Sequence, residues 1–594
     1  MLLERLQQAF LDSVSAVYAT DSPEALVAAK SLHWERPKNA SFGDYAINVS
    51  PLSRPLKQAP PAIAQQVLQP LAEQLAGLVE LPLTVVGGFV NVRLTHQALT
   101  KALHAGLQAE SLVENTALTG QRFLLEYVSA NPTGPLHIGH GRWAALGDSL
   151  ARIWRTSGAQ VDTEFYINDA GVQIEKILHS VMFRLVEQLQ ALNALPQAEN
   201  PWTCHYPGAY VSDIAQAFLA VPAQHDWALS HAGQAPETLT RDALAPLESV
   251  VIPAVRAQQE ALLAKLGVTF DRWYSEKAEL HQADADGATP ITRALTVLED
   301  RGWLKTEDDA LWLCATRAGD EKDRVLRKKD GEYTYLSADI AYHHEKFTRP
   351  QNYTHVVNIW GADHHGYIPR MKAALVALGH LTDPTDARFE VLLGQLVNLI
   401  VDGEKTRMGK RRQMLTLDDM VDEVGTDAVR FWMVSKAADT ALDFNVDLAL
   451  STASENPVFY AQYAHARTAG ILRTVQAAFP ELTEAALAQT SSDTLAPLWD
   501  ALESDEARHA ARQLLLHLNQ APHWVANAAK HRAPHSIARF VLETASLFHA
   551  FYTHCRVLTD TPTITRPRLA LVLLTQRTIA QTLALLGVTA PHQM

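Results

Sequence analysis

An apolar run, Phe123–Val128, breaks into the turn residues Ser129–Pro135, and a helical stripe at Leu146, Leu150, Ile153 and Trp154 follows His137-Ile138-Gly139-His140. The spacing i, i+4, i+7, i+8 is one helix face, Gly158 suits its C-terminal cap, and Val161–Ile167 reads as the next strand. A strand–helix–strand unit of this kind commits the segment to a parallel sheet with helices on its faces. The Gly/His loop at the helix N-terminus suits an anion, because unpaired backbone N–H groups and the helix dipole point there. Two imidazoles, neutral or protonated, add hydrogen-bond donors for phosphate oxygens. In isolation two histidines three apart also read as a surface pair or as half of a metal site.

At 594 residues the chain exceeds one core, and three to five domains are expected. Lys and Arg total 51 against 65 Asp and Glu, a formal charge of −14. That balance argues against indiscriminate coating of nucleic acid, yet leaves room for an RNA held by local basic patches and by shape. The three cysteines, Cys204, Cys314 and Cys555, lack CxxC spacing, so neither a disulfide framework nor a protein-bound zinc is expected. Met1–Phe10 starts an amphipathic helix rather than a signal peptide, and there is no apolar run long enough to span a bilayer. A cytoplasmic enzyme is the expectation.

Residues 1–115 read as a small α/β unit, with helices near 2–19 and 61–77 and strands Leu83–Val86 and Phe89–Leu94 split by Gly87-Gly88. From 116 to 405 strands alternate with helices, with a helical, acidic insertion at about 185–330 and further strands at Tyr333–Ile340, His355–Trp360 and Val391–Ile400. Residues 406–455 mix a basic loop with helices. Residues 456–594 read as an all-helical bundle, and Thr490–Pro497 as a loop.

The segment Glu126-Tyr-Val-Ser-Ala-Asn-Pro-Thr-Gly-Pro-Leu-His-Ile-Gly-His140 resembles the HIGH signature of class I aminoacyl-tRNA synthetases, and its flanks resemble arginyl-tRNA synthetases in particular. The resemblance covers the whole chain. It implies a Rossmann-type doubly wound parallel sheet as catalytic domain, a small N-terminal α/β domain touching the tRNA elbow through residues such as Glu35–Asn48, and an all-α C-terminal anticodon-binding bundle entered at Asn456–Arg467. A second constellation, Asp402–Arg412, packs Lys405, Arg407, Lys410, Arg411 and Arg412 into eight positions. Alone it is a solvated basic loop or an RNA-phosphate patch. Beside HIGH, Arg407-Met408-Gly409-Lys410-Arg411 resembles a degenerate KMSKS loop, with Lys410 on the second lysine. Many arginyl enzymes lack that lysine and carry one just before HIGH; here that upstream position is Gly134. By resemblance, His137, Gly139, His140, Met408 and Lys410 hold ATP, and Arg407 and Arg411 assist Lys410 with the pyrophosphate charge.

An arginine site must aim carboxylates at a planar cation with five donors. Glu126, Ser129 and Asn131 lie at the carboxyl end of the first strand, where a doubly wound sheet places ligands. Tyr335 and Asp339 share a face if their segment is helical. Singly, Asp339 also reads as a helix N-cap and Tyr335 as a core aromatic. In the family the residues matching these five bind arginine, Tyr335 and Asp339 on the guanidinium side and Ser129 and Asn131 at the α-amino end. Asp363, His364 and His365 follow another strand and are candidates for ribose, adenine or arginine, with a His-His-Asp metal site as the alternative. Tyr166–Gln173, at the second strand's end, resembles the family's lining of the acceptor-end or arginine pocket. The expected partners are tRNA(Arg), ATP with Mg²⁺, and L-arginine, without DNA or membrane, and the expected state is a monomer. Two rivals stand: a class I synthetase for another amino acid, and a silent tRNA-binding paralogue.

Overall fold

The computed structural model describes residues 2–18, 22–406 and 416–594. At the N-terminus, α1 (Leu2–Tyr18) and α2 (Pro60–Gln74) accompany an antiparallel sheet of β1 (Trp34–Glu35), β2 (Tyr45–Asn48), β3 (Thr84–Val86) and β4 (Phe89–Val92), in the order β1-β2-β4-β3. Gly87, at φ +61°, makes the tight β3–β4 turn. The helix α3 (His96–Gln108) leads on to the central sheet.

The central sheet starts with β5 (Arg122–Glu126), continues through α4 (Ile138–Thr156), and returns as β6 (Gln160–Ile167). The helices α5 (Val172–Ala191), α6 (Ala209–Leu219) and α7 (Ala245–Lys265) intervene before β7 (Arg272–Ser275). A small antiparallel sheet of β8 (Leu304–Glu307), β9 (Ala310–Leu313) and β10 (Arg324–Arg327) precedes α8 (Tyr335–Thr348), β11 (His355–Gly361), α9 (Ile368–Ala377) and β12 (Phe389–Gly394). The five sheet strands are all parallel, in the order β7-β6-β5-β11-β12. Chain order therefore reverses between β5 and β11, and in such a sheet ligands bind beyond the carboxyl ends at that point. Val356 joins one apolar core and Val357 the other, as expected of a sheet covered on both faces.

A fourth sheet of β13 (Val397–Val401), β14 (Glu404–Thr406) and β15 (Leu442–Asn445) flanks α10 (Leu417–Val424) and α11 (Thr426–Met433). The C-terminal bundle is built mainly from α12 (Pro457–Ala478), α13 (Asp505–Leu518), α14 (Ala521–His531), α15 (Pro534–His554) and α16 (Pro562–Leu585). It is fastened to the remainder by buried arginines. Arg512 grips Asp44 of the N-terminal unit (Nε–Oδ1 2.8 Å), and Arg430 joins Asp148 of α4 to the carbonyls of Leu266 and Leu586.

Four expectations need correction. The stretch 185–330 is not one helical insertion: β7 within it belongs to the main sheet, and β8–β10 follow. With one buried residue in four, β7 has no apolar run to betray it. Tyr333–Ile340 is not a strand, because helix α8 begins at Tyr335, and its apolar stripe of Leu336, Ile340 and Phe347 extends beyond the window that looked β-like. Val391–Ile400 is two strands in different sheets, parted at Gly394, where a Cβ would lie 2.2 Å from the Trp143 indole nitrogen. Thr490–Pro497 contains a helical turn, Ser492–Leu495, capped by the Ser491 hydroxyl. No described helix is long and apolar enough to cross a membrane.

Candidate active site

His137 is the N-cap of α4. Its Nδ1 accepts a hydrogen bond from the Gly139 N–H (3.1 Å), while His140 Nδ1 accepts from the His137 N–H (3.2 Å). This reciprocal cap stacks the two rings with centroids 3.6 Å apart. Burial lowers the pKa of His137, and burial with the neighbouring His137 takes His140 down to about 3. Both rings are therefore neutral at pH 7. Because a backbone N–H occupies each Nδ1, the ring proton sits on Nε2, leaving two Nε2–H donors beside the helix N-terminus. The choice between neutral and protonated imidazole, open from sequence, falls to neutral.

The His140 ring borders a cavity of about 470 Å³ at the switch point between β5 and β11, which gathers Glu126, Ser129, Asn131, His140, Tyr335, Asp339, Asp363 and His364; His137, stacked on it, does not line the cavity. The backbone at the end of β5 is strained: Val128 and Ser129 both have left-handed φ, +69° and +44°, which is costly for a β-branched residue. The kink turns Ser129 back, so that its hydroxyl donates to Glu126 Oε1 (2.8 Å) and accepts from the Tyr166 N–H (3.2 Å).

Tyr335 and Asp339 do share one face of α8. Asp339 is the fifth residue of that helix, not its N-cap, and Tyr335 is 62% exposed rather than a core aromatic. The Tyr367 hydroxyl donates to Asp339. Burial nevertheless dominates and, with Glu276 and Glu126 nearby, pushes the Asp339 carboxyl up to about 7. Asp363 and His364 lie on the exposed 3₁₀ turn Ala362–Tyr367 after β11, 3.6 Å apart. His365 shares that turn and does not line the cavity. Among the described residues no group of three or more His, Cys, Asp or Glu is placed to hold a metal ion. Arg407, Met408, Lys410 and Arg411 lie outside the described residues, but the chain re-enters description beside HIGH: the Leu417 N–H donates to Leu136 O (2.9 Å), and Gly141 makes room for the Leu417 side chain.

At the floor of the cavity lies a polar row of which sequence reasoning named only Glu126. Strand register puts Glu164, Glu126 and Asn358 side by side across β6, β5 and β11, and α8 covers them. Arg349 forks onto Glu164 (2.7 and 3.2 Å), and Tyr342 donates to the same carboxylate. Lys346, fully buried, donates to Glu126 and to Asn358 Oδ1 (3.1 Å). Asn358 Nδ2 donates to His343 Nε2 (2.9 Å), so His343 Nδ1–H donates to the Asp339 carbonyl (2.8 Å). This chain of bonds links the Glu126 end of the cavity to the Asp339 end. A Glu or Asn inside otherwise apolar strands was the available signal.

A protein of Symbiobacterium thermophilum named arginine–tRNA ligase is 39% identical over 99% of this chain and 98% of its own length. The chain belongs to the arginine–tRNA ligase family. A Geobacillus thermodenitrificans arginine–tRNA ligase is 37% identical over 100% of the chain and 98% of its own length. The family model for the arginyl tRNA synthetase N terminal domain matches residues 4–94, and that for the DALR anticodon binding domain matches 461–594. The arginyl-tRNA synthetase structure of Thermus thermophilus shares the fold over 100% of both chains, with a TM-score of 0.73 at 23% identity. That of Plasmodium falciparum does so with a TM-score of 0.69 at 15% identity, covering 100% of this chain and 99% of its own. The cavity at the switch point lies in the stretch between the matched N-terminal and DALR regions.

Proposed function

We propose that the chain activates L-arginine with ATP and transfers it to the 3′-terminal ribose of tRNA(Arg), using the cavity at the β5–β11 switch point. One observation carries the assignment of the site: a single cavity joins two carboxylates suited to a guanidinium and an ammonium, Asp339 and Glu126, to the His140 imidazole at the α4 N-terminus. Tyr335 and Asp339 take the guanidinium, while Ser129, Asn131 and Glu126 take the α-amino end. The arginine carboxylate attacks the α-phosphorus in line; the bond from that phosphorus to the bridging oxygen breaks, and pyrophosphate leaves with its electron pair. A carboxylate is already a nucleophile at pH 7, so positioning and charge stabilisation are what the protein supplies.

The Nε2–H groups of His137 and His140 donate to phosphate oxygens, with Gly139 letting the nucleotide approach closely. Lys410, aided by Arg407 and Arg411, neutralises the departing pyrophosphate, and Met408 contributes to the ATP site. The Leu417–Leu136 bond supports this role, since it returns the basic segment's far end to the HIGH loop. Asp363 and His364 address the ribose and adenine, with Asp363 also within reach of arginine. Mg²⁺ arrives with ATP. In the second step a terminal ribose hydroxyl attacks the adenylate carbonyl carbon and AMP leaves. Residues 1–115 meet the tRNA elbow and residues 456–594 its anticodon. Residues 116–405 carry catalysis, 406–455 the basic loop and stem-contact helices. The protein acts as a monomer in the cytoplasm.

Charging of total tRNA with each radiolabelled amino acid in turn tests this: only arginine is attached, and attachment of another amino acid, or of none, refutes it. Repeating ATP–pyrophosphate exchange without tRNA establishes whether activation waits for tRNA, as expected of this family.

A further inference from the structure

The loop that enters HIGH is held from outside the sheet. Between Asn131 and Gly134, three backbone carbonyls accept hydrogen bonds from two side chains of the helices inserted between β6 and β7. The Gln259 amide, on α7, donates to Asn131 O (3.0 Å) and Gly134 O (2.8 Å), and the Tyr210 hydroxyl, on α6, donates to Thr133 O (2.6 Å). Gln259 is 2% exposed, and burial raises the Tyr210 phenol well above its ordinary value, so it stays a donor at any working pH. A Cβ on Gly134 would lie 2.8 Å from the Tyr210 hydroxyl, which therefore fills the space where a side chain at position 134 would begin.

We propose that the inserted helices build the phosphate-binding loop, with Tyr210 and Gln259 as positioning residues for adenylate formation. The loop is fixed at its far end by the His137–His140 cap and at its near end by these two side chains; Asn131, inside it, lines the cavity. Removing the Tyr210 hydroxyl takes the donor from Thr133 O, and removing the Gln259 amide takes it from Gly134 O while Asn131 O keeps the Thr133 N–H (2.8 Å), so in each case part of the loop is released. Because the reacting groups tolerate only small misplacement, the loss falls on turnover. This inference rests on reading His137–His140 as the phosphate site.

The test is steady-state ATP–pyrophosphate exchange, with tRNA present, on full-length Tyr210→Phe and Gln259→Met. A fall in kcat of about 5- to 50-fold is expected from the loss of one positioning hydrogen bond, with tRNA affinity unchanged and the melting temperature lowered by no more than about 3 °C. Gln259→Glu adds a readout that a merely structural role would not move. Its carboxylate repels two carbonyls at pH 8, whereas its protonated acid donates again, so activity relative to the parent recovers as pH falls to 5.5. A kcat within twofold of the parent for both Tyr210→Phe and Gln259→Met, or a pH-independent ratio for Gln259→Glu, overturns the inference. Tyr210→Phe, at a partly exposed side chain, keeps the test open if Gln259 variants do not fold. His140→Ala is the control. If it keeps full exchange, the phosphate-site reading fails; if it is inactive while Tyr210→Phe and Gln259→Met are both silent, this inference alone fails.

Discussion

The pH dependence of arginine binding gives the sharpest check on the role proposed for Asp339. Its carboxyl titrates near 7 in the free protein because burial outweighs the hydroxyl bond from Tyr367. A guanidinium placed against it favours the charged form, so below pH 7 the incoming arginine must displace a proton. The ionised fraction is about ten times smaller at pH 6 than at pH 8, so the Kd for arginine rises about tenfold over that interval, with roughly half a proton released per arginine bound at pH 7. Titration calorimetry between pH 5.5 and 8, in two buffers of different ionisation enthalpy, reads both quantities. Asp339→Asn should weaken binding and flatten the profile, leaving the KM for ATP nearly unchanged. Tyr367→Phe removes a donor to the carboxylate and moves the midpoint upward. A Kd independent of pH, or a slope that survives Asp339→Asn, would falsify the assignment.

The same raised carboxyl carries a stability cost. Its folded pKa lies above the unfolded value, so its contribution to stability is fully present below about pH 4 and is lost as pH rises through 7; Asp339→Asn should thus raise the melting temperature above pH 7, by up to about 4 kcal/mol of stability, and little near pH 4. Lys346→Met strands the Glu126 carboxylate; chemical denaturation should show about 3–5 kcal/mol lost, part of it recovered in Lys346→Met/Glu126→Gln. His140→Ala should lower the adenylate-forming rate by roughly 10²-fold or more, as for removal of a transition-state donor, with tRNA binding intact by filter assay. Gly134→Lys should lower exchange, despite placing a lysine just before HIGH, because its Cβ meets the Tyr210 hydroxyl.

Chain-local chemistry was legible. The β5–loop–α4–β6 unit, its Gly158 cap and the carboxyl-end position of Glu126, Ser129 and Asn131 are all encoded within the consecutive residues 122–167, where periodicity and turn propensity report directly on backbone. The bundle after residue 456 and the β3–β4 hairpin were legible for the same reason. The α8 segment was read as a strand because its helical stripe completes only beyond Ile340, and β7 was invisible because an edge strand of four residues needs little apolar surface.

What the tertiary structure decided is of another kind. The protonation of His137 and His140 follows from ring burial and from which N–H caps which ring. The charge of Asp339 follows from desolvation, and its link to Glu126 through Lys346, Asn358 and His343 follows from strand register. Tyr210 and Gln259 reach a loop 77 and 125 residues away in the chain. Such contacts leave no periodic trace, because they are set by where sheets and inserted helices pack, and pKa values follow the dielectric that packing creates. Residues 123–167 by themselves determined a parallel sheet with an anion loop at one carboxyl edge; only the fold determined what charges that edge presents and what holds the loop still.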